Sequence, residues 1–384
     1  MPYFVAWHVL RTVVDSSVEH SDATTLGAYH HEREGAWPWA WETRMRAWRS
    51  IARVLLVGVL LSVGAASGHA KVGQWAKGRR MPSPRVYLEA AAVEGTIYAI
   101  GGVGPPRNPR LKTVEAYDIE DDDWTARADM LVGWAPSAAT ALRGEIFVVG
   151  SHGFPGRVEA YDPAADTWRE RAELPLSRVE GHGLALAVVK HHMLAIGGDP
   201  GLHGKRVSSA VHSYDPMLDE WTPRADMPTA RTALVVGVVN GKVYAIGGVN
   251  DGHSAAVEEY DPVADRWTKK RDMPTPRGGS GLAVVNRLIY VIGGMEEGGA
   301  GSYAVEVYDP SRNAWRRLED LPHPRSSAPA VTHEGRIYVL GGQTGGGPAP
   351  IVDTVLVYDT GFRGPFAVSP REALITTWSA LKAE

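Results

Sequence analysis

The sequence predicts an all-β protein, a six-bladed β-propeller of four-stranded blades, on three recurring features. A short apolar strand ending in Gly-Gly or a close variant appears six times: TIYAIGG (96–102), EIFVVGS (145–151), MLAIGG (193–198), KVYAIGG (242–248), LIYVIGG (288–294) and RIYVLGG (336–342). Their first glycines, Gly101, Gly150, Gly197, Gly247, Gly293 and Gly341, recur every 46–50 residues. A Tyr-Asp pair follows each strand, beginning at Tyr117, Tyr161, Tyr214, Tyr260, Tyr308 and Tyr358, and a Trp stands six positions past the Asp in the first five units (Trp124, Trp168, Trp221, Trp267, Trp315). Self-similarity at that period marks a repeat architecture in which each unit is one small sheet.

Each repeated residue has a physical reason. Gly-Gly stands where a strand turns sharply, because glycine reaches positive φ without Cβ strain. DPAADTW (162–168), DPMLDEW (215–221), DPVADRW (261–267) and DPSRNAW (309–315) carry hairpin chemistry, with Pro fixing φ and Asp or Asn accepting backbone N–H groups. Tyr and Trp are plates that fill the wedge between neighbouring blades. The sixth unit has Pro365 where Trp is expected. Two segments could supply the missing outer strand: VGQWAKGRRMPSPR (72–85) with Trp75, or ALITTWSALK (373–382) with Trp378. Only the flanks of Trp75 follow the repeat pattern, so the expected closure is by an N-terminal strand, which pairs an otherwise open edge.

These six units in phase resemble the Kelch family throughout residues 71–361. The resemblance implies a propeller whose loops carry specificity while its strands are scaffold. Two loop sets are expected at one face, those after each Gly-Gly and those near Arg85, Trp134, Arg178, Arg231, Arg277 and Arg325 that begin the innermost strands. In Kelch domains that capture partner proteins, the second set lines the channel mouth; the corresponding residues here are Tyr87, Trp134, Glu180, His182, Thr232, Ser280 and Ser326. Departures from the internal consensus point the same way. Trp134 replaces the repeated Arg, Ser151-His152 replaces a second Gly, and SRVEGHG (177–183) adds three residues. The candidate ligand-binding set is Arg85, Tyr87, Trp134, His152, Arg178, Glu180, His182, Arg231, Arg277, Arg325 and Ser326. For the arginines a structural role stands beside this, since a guanidinium fork can tie adjacent loops through their carbonyls.

Ahead of the repeats, Met45–Ala70 (MRAWRSIARVLLVGVLLSVGAASGHA) has a basic start, an apolar run and a small-residue end before Lys71, the pattern of a secretory signal peptide. Its apolar run to Ala66 is shorter than a membrane-spanning helix needs. Residues 1–44 have no sustained period and are expected to be an over-extended start or a disordered extension; residues 362–384 form a tail. An extracytoplasmic location follows from this pattern.

The formal net charge of −4 lacks the basic footprint of a nucleic-acid binder. With no cysteine, disulfides, thiolate zinc sites and cysteine nucleophiles are excluded. No H-E-x-x-H, nucleophile elbow or phosphate loop occurs. His191-His192 falls in a short turn, and no metal or other cofactor is expected. The expected function is an exported, monomeric binding module that holds a protein or glycan on one face. The alternative is a sugar-acting enzyme, since bacterial sialic-acid mutarotases are exported six-bladed Kelch proteins. A ubiquitin-ligase adaptor would need a BTB or F-box domain, which this chain lacks.

Overall fold

Why the repeat folds as it does is visible in its second strands, which are apolar on both faces: in Thr96–Ile100, Ile97 and Ala99 pack toward one neighbouring sheet and Tyr98 and Ile100 toward the other. The computed structural model describes residues 70–364, apart from 106, 108, 134, 152, 153, 155, 176–182, 200–206 and 346–348. The signal-peptide pattern, residues 1–44 and Trp378 lie outside the described residues.

Six four-stranded antiparallel sheets follow one another along the chain. Blade 1 is β2 (Glu89–Val93), β3 (Thr96–Ile100), β4 (Val114–Asp118) and β5 (Asp123–Arg127); blade 2 is β6 (Pro136–Leu142), β7 (Glu145–Ser151), β8 (Val158–Asp162) and β9 (Thr167–Glu170). Blade 3 is β10 (Ala185–Val189), β11 (His192–Ile196), β12 (Val211–Asp215) and β13 (Glu220–Arg224); blade 4 is β14 (Val235–Val239), β15 (Lys242–Ile246), β16 (Val257–Asp261) and β17 (Arg266–Lys269). Blade 5 is β18 (Gly281–Val285), β19 (Leu288–Ile292), β20 (Val305–Asp309) and β21 (Ala314–Arg317). Blade 6 takes β22 (Ala330–His333), β23 (Arg336–Leu340) and β24 (Val355–Asp359) from the end of the propeller and β1 (Trp75–Lys77) from its start.

β1 runs antiparallel to β24, with Trp75 opposite Tyr358 and their rings 5.0 Å apart. That is the N-terminal closure, and it gives the sixth blade the Tyr–Trp pair its sisters hold internally, as in Tyr308–Trp315 at 5.0 Å.

The core is divided rather than central. Six apolar clusters each span two adjacent blades, such as Val305, Val307 and Tyr290 with Ile337, Val339 and Leu356 between blades 5 and 6. Tryptophans stitch the wedges, each Nε1–H donating to the tail of the preceding blade: Trp168 to Ala128 O (2.9 Å), Trp267 to Ala225 O (2.9 Å) and Trp315 to Arg271 O (3.0 Å). Trp75 makes the same bond across the closure, to Glu319 O at 3.3 Å.

The hairpin Asp or Asn links blades too. Asp166, Asp265 and Asn313 occupy positive φ of 47–52°, a region that Asp and Asn tolerate better than most residues. There the side chain accepts from the Tyr hydroxyl of its own blade and from a backbone N–H of the previous one. Asp265 Oδ1 accepts from Tyr260 at 2.5 Å and from Ala225 N at 2.9 Å. These bonds hold the Asp166 and Asp265 carboxyls below their ordinary pKa, the tyrosine bond foremost and the backbone N–H next.

Candidate functional site

The two loop sets meet at one end of the ring, as isolated bridges Val86–Val103, Thr232–Val249, Gly278–Met295 and Ser326–Gln343 join the inner-strand starts to the loops after Gly-Gly. We call this the upper face. The glycines make the junction possible. At Gly293 (φ 58°) an added Cβ would lie 2.4 Å from Arg325 O, so only glycine lets the neighbouring loop approach.

Four of the arginines proposed for the mouth are described, and none faces it. Arg85, Arg231, Arg277 and Arg325 are 0–2% exposed and their guanidinium groups turn into the blade tops. Each ties two blades. The backbone carbonyl of Arg277 accepts from Gly248 N in blade 4 (3.0 Å), while its side chain donates to Gly293 O in blade 5 (2.8 Å). Arg231 repeats this with Gly198 N (2.9 Å) and Gly247 O (2.7 Å). The structure thus places these four in the structural role rather than the ligand one, because their guanidinium groups are buried in the blade tops, bonded to carbonyls and neighbouring side chains and closed off from the channel. Ser326 is likewise buried, its Oγ 3.5 Å from Gly345 O.

A buried carboxylate completes each clamp in blades 1, 4 and 5. Arg85 meets Glu115 at 2.9 Å, Arg231 meets Glu258 at 2.7 Å, and Arg277 meets Glu306 at 2.5 Å. The carboxylate's other bond comes from a hydroxyl two residues before the arginine: Ser83 (2.7 Å), Thr229 (2.7 Å) and Thr275 (2.8 Å). Sequence reasoning missed these glutamates, although their recurrence after Val in VE pairs (114–115, 158–159, 257–258, 305–306) was a readable signal. In blade 2, where Trp134 takes the arginine's place, Glu159 is bound instead by Arg157 Nε (2.6 Å) and by Leu131 N (3.2 Å).

What does face the mouth is a ring of backbone turns and one pocket. Tyr87, Gly183, Ala233, Gly279 and Ser327 sit at equivalent places in their blades, all at positive φ of 51–64°. Hydrogen bonds run between them, Ala233 N to Gly183 O (2.7 Å), Gly279 N to Ala233 O (2.9 Å) and Ser327 N to Gly279 O (2.9 Å). Below this belt the channel opens into a cavity of about 270 Å³ walled by the upper halves of the six inner strands. A second cavity of about 410 Å³ occupies the lower end, between the β2–β3 turn at Glu94 and the β22–β23 turn at Glu334.

Tyr87 is half exposed at the upper mouth, and Leu131 and Phe154 are exposed on the same face at blades 1 and 2. Inside the upper cavity stands Glu89, the first residue of β2. It is partly exposed and lies among the residues that line the channel. Burial pushes its carboxyl up to about 8, against the bond it accepts from Ala139 N–H. No Arg, Lys or His is among the described residues lining this cavity. Glu89 was not singled out by sequence, although the equivalent strands carry Ala185, Val235 and Gly281 in its register position opposite Ile. Trp134, His152, Arg178, Glu180 and His182 lie outside the described residues. Among the described residues no group of His, Cys, Asp or Glu could hold a metal ion.

Comparison with known proteins agrees with this architecture. The Kelch motif matches residues 84–131, 181–228, 230–274, 276–322 and 324–363, more than half of the chain. The second blade, with its replaced arginine, lies between the matched segments. Kelch-like protein 35 of Mus musculus is 29% identical over 178 residues, covering 45% of this chain and 29% of that protein. Beta-scruin of Limulus polyphemus is 28% identical over 183 residues, covering 44% of this chain and 19% of that protein. The matched segment thus spans less than a third of either relative. A solved structure, that of YjhT, superposes with a TM-score of 0.62 at 17% identity, over 73% of this chain and 97% of that one. At that identity the likeness concerns the fold alone.

Proposed function

We propose that this chain, which belongs to the Kelch-repeat family, is an exported binding module that docks a partner protein on the upper face of its propeller. Kelch propellers typically bind proteins, and what favours the upper face is that its exposed apolar side chains stand beside the channel mouth and its hydrogen-bonded turns, whereas the exposed Met217, Leu218 and Val263 lie on the separate hairpin turns of the opposite face. Tyr87, Leu131 and Phe154 are 41–50% exposed on neighbouring blades 1 and 2. Large apolar groups held on a rigid frame make good anchors, because little side-chain freedom is lost on docking. The frame is rigid here because Tyr87 follows a buried arginine clamp and the mouth turns are joined by backbone bonds.

Export is supported by the signal-peptide pattern of residues 45–70. Amino-terminal sequencing of the secreted or periplasmic protein tests it: Lys71 as first residue supports export, and a chain retained with residues 45–70 opposes it. Glycan binding rests on a different feature, the lone carboxyl in the channel, and stands or falls separately.

The docking test is a contrast of faces. Peptide ligands selected from a display library against the folded protein should lose about tenfold or more in affinity on Tyr87→Ala or Phe154→Ala, as anchor residues do. Val263→Ala, on a lower hairpin turn at 83% exposure, should leave them unchanged. Ligands sensitive to Val263 and indifferent to Tyr87 and Phe154 would refute the assignment.

A further inference from the structure

The inner strands of a propeller need only small or apolar side chains to line the channel, and here they carry almost nothing else. Across β2, β6, β10, β14, β18 and β22 the titratable residues are Glu89 and His333. His333 belongs to the lower cavity with the turn residues Glu94 and Glu334. Glu89 is therefore the single charged-type side chain described in the upper cavity, which no fold requirement places there.

We propose that the upper cavity is a binding site for a small neutral polyhydroxylated ligand, a monosaccharide, with the Glu89 carboxyl as its principal hydrogen-bonding group. This rests on the glycan part of the reading above and not on protein docking.

The chemistry of the walls selects the ligand class. A cavity of about 270 Å³ lies at the small end of ligand pockets, so it suits one sugar ring and not a chain. Hydroxyls line it at Ser137, Ser280 and Ser327, with Pro329 beside them and the Tyr87 ring at the rim. Ser280 Oγ donates to Gly293 O at 3.0 Å, which leaves its lone pairs for an incoming O–H. An anionic ligand would meet no cation among the described lining residues and would face a carboxyl. A cationic ligand would have to form its ion pair with Glu89 inside the cavity, where desolvation offsets the attraction. A neutral hydroxyl meets neither cost. The protonated form of Glu89, which burial favours, donates one hydrogen bond and accepts others, matching a sugar hydroxyl in both roles.

Titration of D-glucose, D-glucuronate and D-glucosamine into the intact secreted protein, followed by calorimetry or ligand-observed NMR, tests the assignment. The three probes share a ring and differ in charge. Glucose should bind saturably at neutral pH, with glucuronate and glucosamine each weaker by about tenfold or more, the scale of a buried unpaired charge. Glu89→Ala should weaken glucose by about tenfold, the loss expected for a buried bonding partner. Glu89→Gln, which keeps a donor and an acceptor, should stay within about threefold. Raising the pH from about 7 to about 9 should weaken glucose binding to the wild type as Glu89 ionises, and leave Glu89→Gln unaffected. An unchanged circular dichroism melt separates these effects from unfolding. Absence of saturable glucose binding, equal affinity for glucuronate, or indifference to Glu89→Ala would each overturn the proposal. Peptide docking on the upper face is measured separately, so failure of one reading leaves the other intact.

Discussion

Blades 5 and 6 have the same four strands and the same Gly-Gly turn, yet they are held together differently. Blade 5 is one continuous stretch whose Arg277 is 1% exposed and paired with Glu306, itself bound by Thr275. Blade 6 is assembled from both ends of the propeller, and its Arg325 has no carboxylate. Leu356 stands where Glu306 stands, His323 replaces Thr275, and the Arg325 guanidinium bonds to Thr354 Oγ1 (2.7 Å) and Pro324 O (3.1 Å) while its Nε finds no partner. Burial alone lowers the pKa of Arg325, whereas at Arg277 burial is opposed by the nearby Glu306. Carboxylate and hydroxyl are absent together. The arginine is thus kept for its backbone and loop contacts, and the carboxylate is an addition that blades 1, 4 and 5 pair with it and that the closing blade omits, as does blade 3, where His212 stands at the same position.

The largest expected effect breaks that closure. Deleting residues 72–77 removes β1 and leaves the whole of β24 as an open edge, a template for association. Size-exclusion chromatography should show loss of monomer and gain of aggregate, whereas Trp315→Ala in blade 5 should weaken a ring that stays closed, by about 3–5 kcal/mol.

Next comes the clamp. Arg277→Met strands Glu306 in the blade and should cost about 3–5 kcal/mol in urea unfolding. Arg325→Met leaves only neutral partners unfilled and should cost about 1–3 kcal/mol. Equal costs would remove the distinction between the two blades.

A feature common to both blades should cost the same in each. Gly293→Ala and Gly341→Ala place a Cβ 2.4 and 2.7 Å from the carbonyls of Arg325 and Arg85 at φ of 58° and 57°. Each should destabilise by about 1–3 kcal/mol or more, the range for strained backbone.

The smallest effect is a pH dependence. Asn313 in blade 5 does not titrate, but Asp265 in blade 4 does, from below its ordinary 3.8. A lowered folded pKa gives stability that is present at neutral pH and lost as the pH falls through that pKa. Asp265→Asn should therefore flatten the acid limb of a stability–pH curve in the region below about pH 4, with little change at neutrality. A steeper acid limb would contradict the Tyr260–Asp265 bond.

How much of this was legible follows from what repetition reveals. Gly-Gly, Tyr-Asp and Trp gave the blade number, and the misplaced Trp75 gave the seam, because packing positions must recur in every unit. Recurrence does not say which way a side chain points. Arg85, Arg231, Arg277 and Arg325 recur as strictly as the core does, and the resemblance placed them at the mouth, while their guanidinium groups turn inward to carbonyls. Their glutamates recur as well but stand about thirty residues away in sequence, on the third strand of each blade. Glu89 was hidden for the opposite reason. It occurs once, and only the register of six aligned inner strands shows that its sisters are small or apolar.

The molecule divides into a scaffold of inward clamps and an upper face proposed for binding. Amide hydrogen exchange with and without a selected peptide ligand measures that division directly. Protection should appear in the loops around residues 85–88, 131–133 and 154, and spare the lower turns at 216–219 and 262–265. Protection of the lower turns with an unchanged upper face would contradict it.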